Sequence, residues 1–142
     1  MPVTVERTLA IIKPDAVKRR VAGRIVSRIE TAGLRIVACR MVHLSRADAA
    51  GFYAVHAEKP FYGSLVKFMS SGPCLVLALE AEQAISRWRE LMGKTDPAQA
   101  AADTIRREFG TSIEHNVSHG SDGRKTAAFE LGYFFSGLDL AG

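Results

Sequence analysis

Apolar residues along this chain fall in short blocks that switch between a spacing near two and a spacing near 3.6. Residues 7–13, Arg-Thr-Leu-Ala-Ile-Ile-Lys, form a compact apolar run that predicts a buried strand. Pro14 closes it, having no amide hydrogen for a neighbouring strand and biasing Lys13 toward extended backbone. Val21, Ile25, Ile29 and Ala32 recur at helical spacing before Gly33, so a helix is predicted over 21–32. Residues 34–44 return to a period near two through Ile36, Ala38, Val42 and Leu44, which predicts a second strand. Ser45, with Asp48 three residues on, has capping-box spacing. It opens a helix that runs through Ala49, Phe52 and Tyr53 toward His56.

Lys59-Pro60 punctuates the chain, and 61–69 predicts a further short helix carrying Phe61, Leu65, Phe68 and Met69. Ser70-Ser71-Gly72-Pro73 is a turn, and 74–79, the most apolar stretch, is the third strand. A helix follows over 82–92 and stops at Gly93. Residues 95–102 read as a loop containing Pro97, 104–109 as a short helix, and 110–118 as irregular with a brief strand near Asn116. The last helix is predicted over 123–135, ahead of a small polar tail. Strands alternating with helices suggest, by order alone, a parallel α/β sheet. With 142 residues, no internal repeat and no linker, the chain is expected to be one domain, 1–142.

Composition narrows the class. At 47% hydrophobic and 24% charged, the chain is an ordinary globular sequence. Its net charge of +4 suits an anionic substrate and is too mild to demand nucleic acid. Cys39 and Cys74 lie far apart in apolar runs and read as reduced core thiols, with no zinc spacing. The apolar runs are too short to span a membrane, and residues 1–7 lack a signal pattern, so a cytoplasmic protein is expected.

The stretch Asn116-Val117-Ser118-His119-Gly120-Ser121-Asp122 carries the strongest chemical signal. A histidine there, among small and hydroxylated residues, can meet a phosphate closely, and a neutral imidazole is a competent nucleophile. Gly120 allows close backbone approach, and Ser121 and Asp122 can cap the following helix. The stretch alone fits a catalytic histidine or a turn histidine equally well. Familiar nucleotide cradles are absent. Gly93-Lys94-Thr95 imitates the end of a P-loop, but Trp88 stands where its first glycine is needed, and no Gly-x-Gly occurs. His115 and His119 share the spacing of a zinc-binding helix, yet Asn116 replaces the glutamate that motif requires. Phosphate must then be gripped by side chains, for which Lys13, Arg89, Thr95 and Arg106 are the candidates.

Taken together these segments resemble the nucleoside diphosphate kinase family over nearly the whole chain. Asn116 to Asp122 is similar to the family's Asn-x-x-His-Gly-Ser-Asp signature. Ile12-Lys13-Pro14-Asp15, His56 to Tyr62, Met69 to Pro73, Gly93 to Pro97 and Thr104-Ile105-Arg106 join it in the expected order. The resemblance implies an α+β, ferredoxin-like fold: a four-stranded antiparallel sheet covered by helices. It implies that His119 takes the terminal phosphoryl group from a nucleoside triphosphate and passes it to a nucleoside diphosphate, in ping-pong fashion and with broad base specificity. Glu130 and Ser121 correspond to the partners of that imidazole, and Tyr53 and Lys13 to side chains around the reacting phosphate. Arg89, Thr95 and Arg106 correspond to phosphate ligands, Asn116 with Lys13 to ribose ligands, and Phe61, Leu65 and Ile113 to the base slot. Magnesium is implied on the substrate phosphates rather than on protein side chains. A tetramer or hexamer built from dimers is implied as well.

Two places in the chain depart from the family pattern. Gly123-Arg124-Lys125 stands where serine and an acidic residue are usual, and Asp96 where asparagine is common. Arg124 and Lys125 are expected to draw nucleotide phosphates toward His119 and to keep its ring neutral. Three other classes fit the fold: a nucleic-acid-binding module, a phosphohistidine relay to a protein, and a subunit with a dead site. No basic and aromatic stripe on any one strand favours the first. The full set of matched site residues argues against the last.

Overall fold

A computed structural model describes residues 5–141. Strand β1 (Val5–Ile12) pairs antiparallel with β3 (Cys74–Glu82), from Val5 opposite Glu82 to Ile12 opposite Leu75. On its other side β1 pairs antiparallel with β4 (Ser118–Gly120), and β2 (Arg35–Val42) pairs antiparallel with the far side of β3. The sheet order is therefore β2-β3-β1-β4, with every adjacent pair antiparallel. This corrects the parallel sheet that element order suggests and agrees with the ferredoxin-like arrangement. The reason is topological. β1 and β2 do run in the same direction, but β3 is inserted between them, so no parallel pair forms among the described residues.

The helices are α1 (Pro14–Lys18), α2 (Ala22–Thr31), α3 (Arg46–Phe52), α4 (Tyr62–Met69), α5 (Ala84–Met92), α6 (Ile105–Phe109) and α7 (Arg124–Phe134). Single turns of 3-10 helix stand at Ala54–His56 and Pro97–Gln99. α1 has no counterpart in the sequence pattern: Pro14 does end β1, but it does so as the first residue of a helix, where its missing N–H costs nothing. The Ser45–Asp48 capping box forms, with Asp48 N–H donating to Ser45 Oγ and Ser45 N–H to Asp48 Oδ2. Gln83 takes a left-handed conformation (φ 52°) that ends β3, so α5 starts at Ala84 and not at Glu82.

β1 is buried on both faces, because helices cover both. Ala10 and Ile12 pack with Ile25 and Ile29 of α2 and with Trp88 and Met92 of α5. Leu9 and Ile11 pack with Phe52 of α3 and with Leu131 and Phe134 of α7. Cys74 lies in this second core, but Cys39 is exposed, which corrects its reading as a core thiol. β2 is an edge strand and keeps much of its length in solvent. Among the described residues no helix is long and apolar enough to cross a membrane. The expectation about the signal pattern falls partly on residues 1–4, outside the described part.

Candidate active site

The brief strand expected near Asn116 forms two residues later, as β4. This puts His119 on a strand, opposite Ile11 of β1, rather than in a turn. Cross-strand partners share a face, so the imidazole emerges on the side that carries Phe52 and Tyr53. Those two rings meet it edge-on, at centroid distances of 5.4 and 6.0 Å. The chain enters β4 through Val117, a β-branched residue held at φ 65°. That strained peptide is fixed from both sides: its N–H donates to Asp15 Oδ2, and its carbonyl accepts from Lys13 N–H.

His119 Nε2 lies 2.9 Å from Glu130 Oε1, and Ser121 Oγ donates to the same oxygen at 2.8 Å. The N–H of Leu9 donates in turn to Ser121 Oγ, tying this chain of bonds to the centre of the sheet. A carboxylate can only accept, so Nε2 carries the proton of a neutral ring and Nδ1 carries the lone pair. Nδ1 has no hydrogen-bond partner among the described residues.

His119 lines a cavity of about 580 Å³ at the end of the sheet. Lys13, Tyr53, Phe61, Leu65, Arg89, Thr95, Arg106, Ile113 and Asn116 line it too, so every sequence-based candidate but two faces this space. The two others, Glu130 and Ser121, stand behind His119. Phe61 and Ile113 are about half exposed at the rim, as two apolar walls. Asn116 joins two groups: its Oδ1 accepts from Lys13 Nζ at 2.8 Å and its Nδ2 donates to the Thr95 carbonyl at 3.0 Å. Arg106 donates to the carbonyls of Gly93 and Ser118, while its Nε stays buried with no partner among the described residues. Arg89 bridges to Asp122 at 2.9 Å. The arrangement presents a lone pair, three cations and an apolar slot to one space.

A model of the family described as nucleoside diphosphate kinase matches residues 6–140. The chain belongs to the nucleoside diphosphate kinase family. A nucleoside diphosphate kinase of Syntrophotalea carbinolica is 59% identical over 135 residues, covering 95% of this chain and 98% of that one. The crystal structure of the Aquifex aeolicus nucleoside diphosphate kinase superposes with a TM-score of 0.94 at 44% identity, covering 96% and 99% of the two chains. That of Halobacterium salinarum, solved in complex with CDP, gives 0.91 at 38% identity, covering 96% and 91%. The chain is thus an enzyme that transfers phosphoryl groups between nucleotides.

For a nucleoside diphosphate kinase the cationic wall has a telling electrostatic state. Burial, with Arg106 nearby, lowers the Lys13 ammonium to about 8, although Asp15 and Glu114 pull it up. Burial, and then Arg89, lowers Arg106 to about 10. Two crowded, dehydrated cations are stabilised when an anion enters between them. Tyr53 is buried with its hydroxyl unpartnered among the described residues, and burial holds its pKa far above the ordinary phenol value, so it stays protonated, able to donate a hydrogen bond, at all working pH.

Two expectations change and one gains a second reason. Gly120 lines the cavity and is required by packing besides: a Cβ there would lie 2.6 Å from Trp88 Cδ1 and from Met92 Cε. Ser121 and Asp122 do not cap α7. Thr126 Oγ1 accepts from the N–H groups of Asp122 and Gly123 instead, which leaves Ser121 for Glu130 and Asp122 for Arg89. Arg124 is turned to Glu6 at 3.1 Å, and neither it nor Lys125 lines the cavity. Asp96, whose purpose the sequence left open, caps the 3-10 turn through Ala98 N–H.

Sequence reasoning missed Trp88 and Asp15, which hold the backbone of the His119 segment, and Glu114, which lines the cavity. A lone tryptophan on an amphipathic helix reads as core, and only its indole N–H hints at a further bond.

Proposed function

We propose that this enzyme works by a ping-pong mechanism through a phosphohistidine on His119. Nδ1 of the neutral ring attacks the terminal phosphorus of a nucleoside triphosphate. The N–P bond forms as the bridging P–O bond breaks, and the diphosphate leaves with that electron pair. A terminal oxygen of a second nucleoside diphosphate then attacks the same phosphorus, and the N–P electrons return to the imidazole. The ring becomes cationic in between, and the Glu130 carboxylate on Nε2 offsets that charge. The observation that carries this reading is the 2.9 Å contact between His119 Nε2 and Glu130, which leaves Nδ1 as the nucleophile.

The remaining roles follow from position. Lys13, Arg89, Arg106 and Thr95 hold the phosphates, and Tyr53 O–H donates near the transferring group. Asn116 with Lys13 takes the ribose. Phe61, Leu65 and Ile113 take the base by stacking and apolar contact, which every base can offer, hence broad specificity. Side chains of this chain would hold the magnesium only through the substrate phosphates, and the ion would supply neutralisation of their charge. The lining fits this, since its carboxylates are Glu114 and Asp122, and Asp122 is already paired with Arg89.

The reading includes a homo-oligomer, tetramer or hexamer. The outer edge of β2, unpaired among the described residues and with Met41 56% exposed, supports it. It includes a cytoplasmic setting, which the free thiols of Cys39 and Cys74 fit.

The test is incubation with γ-labelled ATP, then a chase with several diphosphates, beside His119→Ala. Acid-labile label that leaves with every diphosphate, and is absent from the variant, is expected. Label that moves only to another protein would overturn the reading.

A further inference from the structure

We infer that His115 is a positioning residue that sets the width of the base slot through its stack on Phe68. The inference rests on the reading of Phe61 and Ile113 as the walls of that slot. One wall is built on α4, with Phe61 just before its first residue and Leu65 within it. The other is the loop 110–115, which carries Ile113 and Glu114 and has no regular secondary structure. A loop wall needs something to hold it at a set distance from the helix wall. The His115 imidazole lies face to face with the Phe68 ring, centroids 4.6 Å apart and planes inclined by 19°. Phe68 is three residues beyond Leu65, so it sits on the same face of α4 one turn along.

The loop is organised around the same residue. The N–H groups of Thr111 and Ser112 both donate to the His115 carbonyl, and His115 N–H donates to Ser112 Oγ. Ile113 and Glu114 are thus the tip of a closed turn whose base is His115. The next residue, Asn116, is tied to Lys13 and to Thr95. His115 therefore joins the base slot to the groups assigned to ribose and phosphate. Loss of the stack frees the turn to swing while His119, on the neighbouring strand, keeps its own anchors.

The test uses His115→Ala, His115→Phe and Phe61→Ala in the full chain, with purine and pyrimidine nucleoside diphosphates as acceptors. A base-free donor, inorganic tripolyphosphate, is used to phosphorylate His119. His115→Ala is expected to raise KM for nucleotides roughly three- to tenfold, the scale of one aromatic pair, with kcat at saturation held. Tripolyphosphate labelling of His119 is expected to stay unchanged, and His115→Phe to restore KM. Unaltered nucleotide KM in His115→Ala, or an equal loss with tripolyphosphate, overturns the proposal. The Phe61→Ala control separates the two readings. If it raises KM while His115→Ala does not, the slot stands and the clamp falls. If it too leaves KM unchanged, the slot itself is misassigned.

Discussion

Trp88 donates its indole N–H to the main-chain carbonyl of His119 at 3.0 Å, from the face of β4 opposite the imidazole. The bond joins the most deeply buried ring of one core to the peptide that carries the imidazole. β4 is a three-residue strand and would be a weak support alone. Held by β1 on its edge, by Trp88 beneath and by Arg106 on the Ser118 carbonyl, it becomes a rigid mount. Precise placement of a nucleophile is where much of the rate of a phosphoryl transfer originates.

Gly120→Ala is expected to damage this mount. The new methyl would meet Trp88 and Met92 at 2.6 Å, and a buried indole cannot step aside as a surface side chain can. Overpacking of this kind costs about 1–3 kcal/mol. Denaturant unfolding should show that loss, with activity per folded molecule reduced as β4 shifts. A variant as stable and active as the parent would mean that Trp88 is not a rigid floor.

Glu130→Gln tests the charge behind the imidazole. An amide can still accept from Nε2–H, so ring orientation is kept while the negative charge is lost. Hydrogen bonds to charged groups contribute about 1.5–3 kcal/mol, so kcat should fall roughly ten- to a hundredfold. Rapid-mixing measurement of His119 labelling is the check. Ser121→Ala should act more on stability, by about 1–2 kcal/mol, since it strips the buried Leu9 N–H of its acceptor.

Much of this was legible in the sequence, for identifiable reasons. The strands and the larger helices follow from apolar spacing, because burial on one or both faces fixes that spacing. The Ser45 cap was legible because its chemistry is local. Strand order was not, since nothing in residues 74–82 says that they slip between β1 and β2. The exposure of Cys39 was lost with it, because edge and centre positions look alike in a short apolar run. At the site, His119 and its anionic-substrate partners stood out as residue types. Arg124 shows the limit: a cation near the signature was expected to serve phosphate, yet Glu6 lies within reach from β1 and takes it.

The Lys13 ammonium predicts an alkaline limb. Burial holds it at about 8 in the free enzyme, so kcat/KM should fall as pH rises through that value and the cavity loses a cation. A bound polyphosphate favours the charged form, so the corresponding limb in kcat should lie at higher pH. Stability moves the other way. Between about 8 and the ordinary lysine value of 10.5 the unfolded chain binds the proton and the folded one does not, so Lys13 makes stability rise with pH there. Lys13→Gln should give a low kcat/KM without this limb and should remove that rise.

Asp15→Asn separates two jobs of one carboxylate. Its Oδ2 accepts from the strained Val117 N–H, and its charge is one of the two that hold the Lys13 value up. Asparagine keeps an acceptor for Val117 but carries no charge. The half-buried Asp15 carboxyl is itself raised above the ordinary value by desolvation, so exchanging it for a neutral amide should cost the fold little. Lys13, deprived of that anion, should titrate below about 8, and the alkaline limb of kcat/KM should move toward neutral pH. Asp15→Ala should show the same displaced limb with an added stability loss of about 1–3 kcal/mol, because Val117 N–H is then left buried without an acceptor. A limb that stays in place in both variants would mean that Asp15 only props the backbone. A limb that moves while Asp15→Asn keeps its stability would assign to this aspartate the tuning of the cation beside His119.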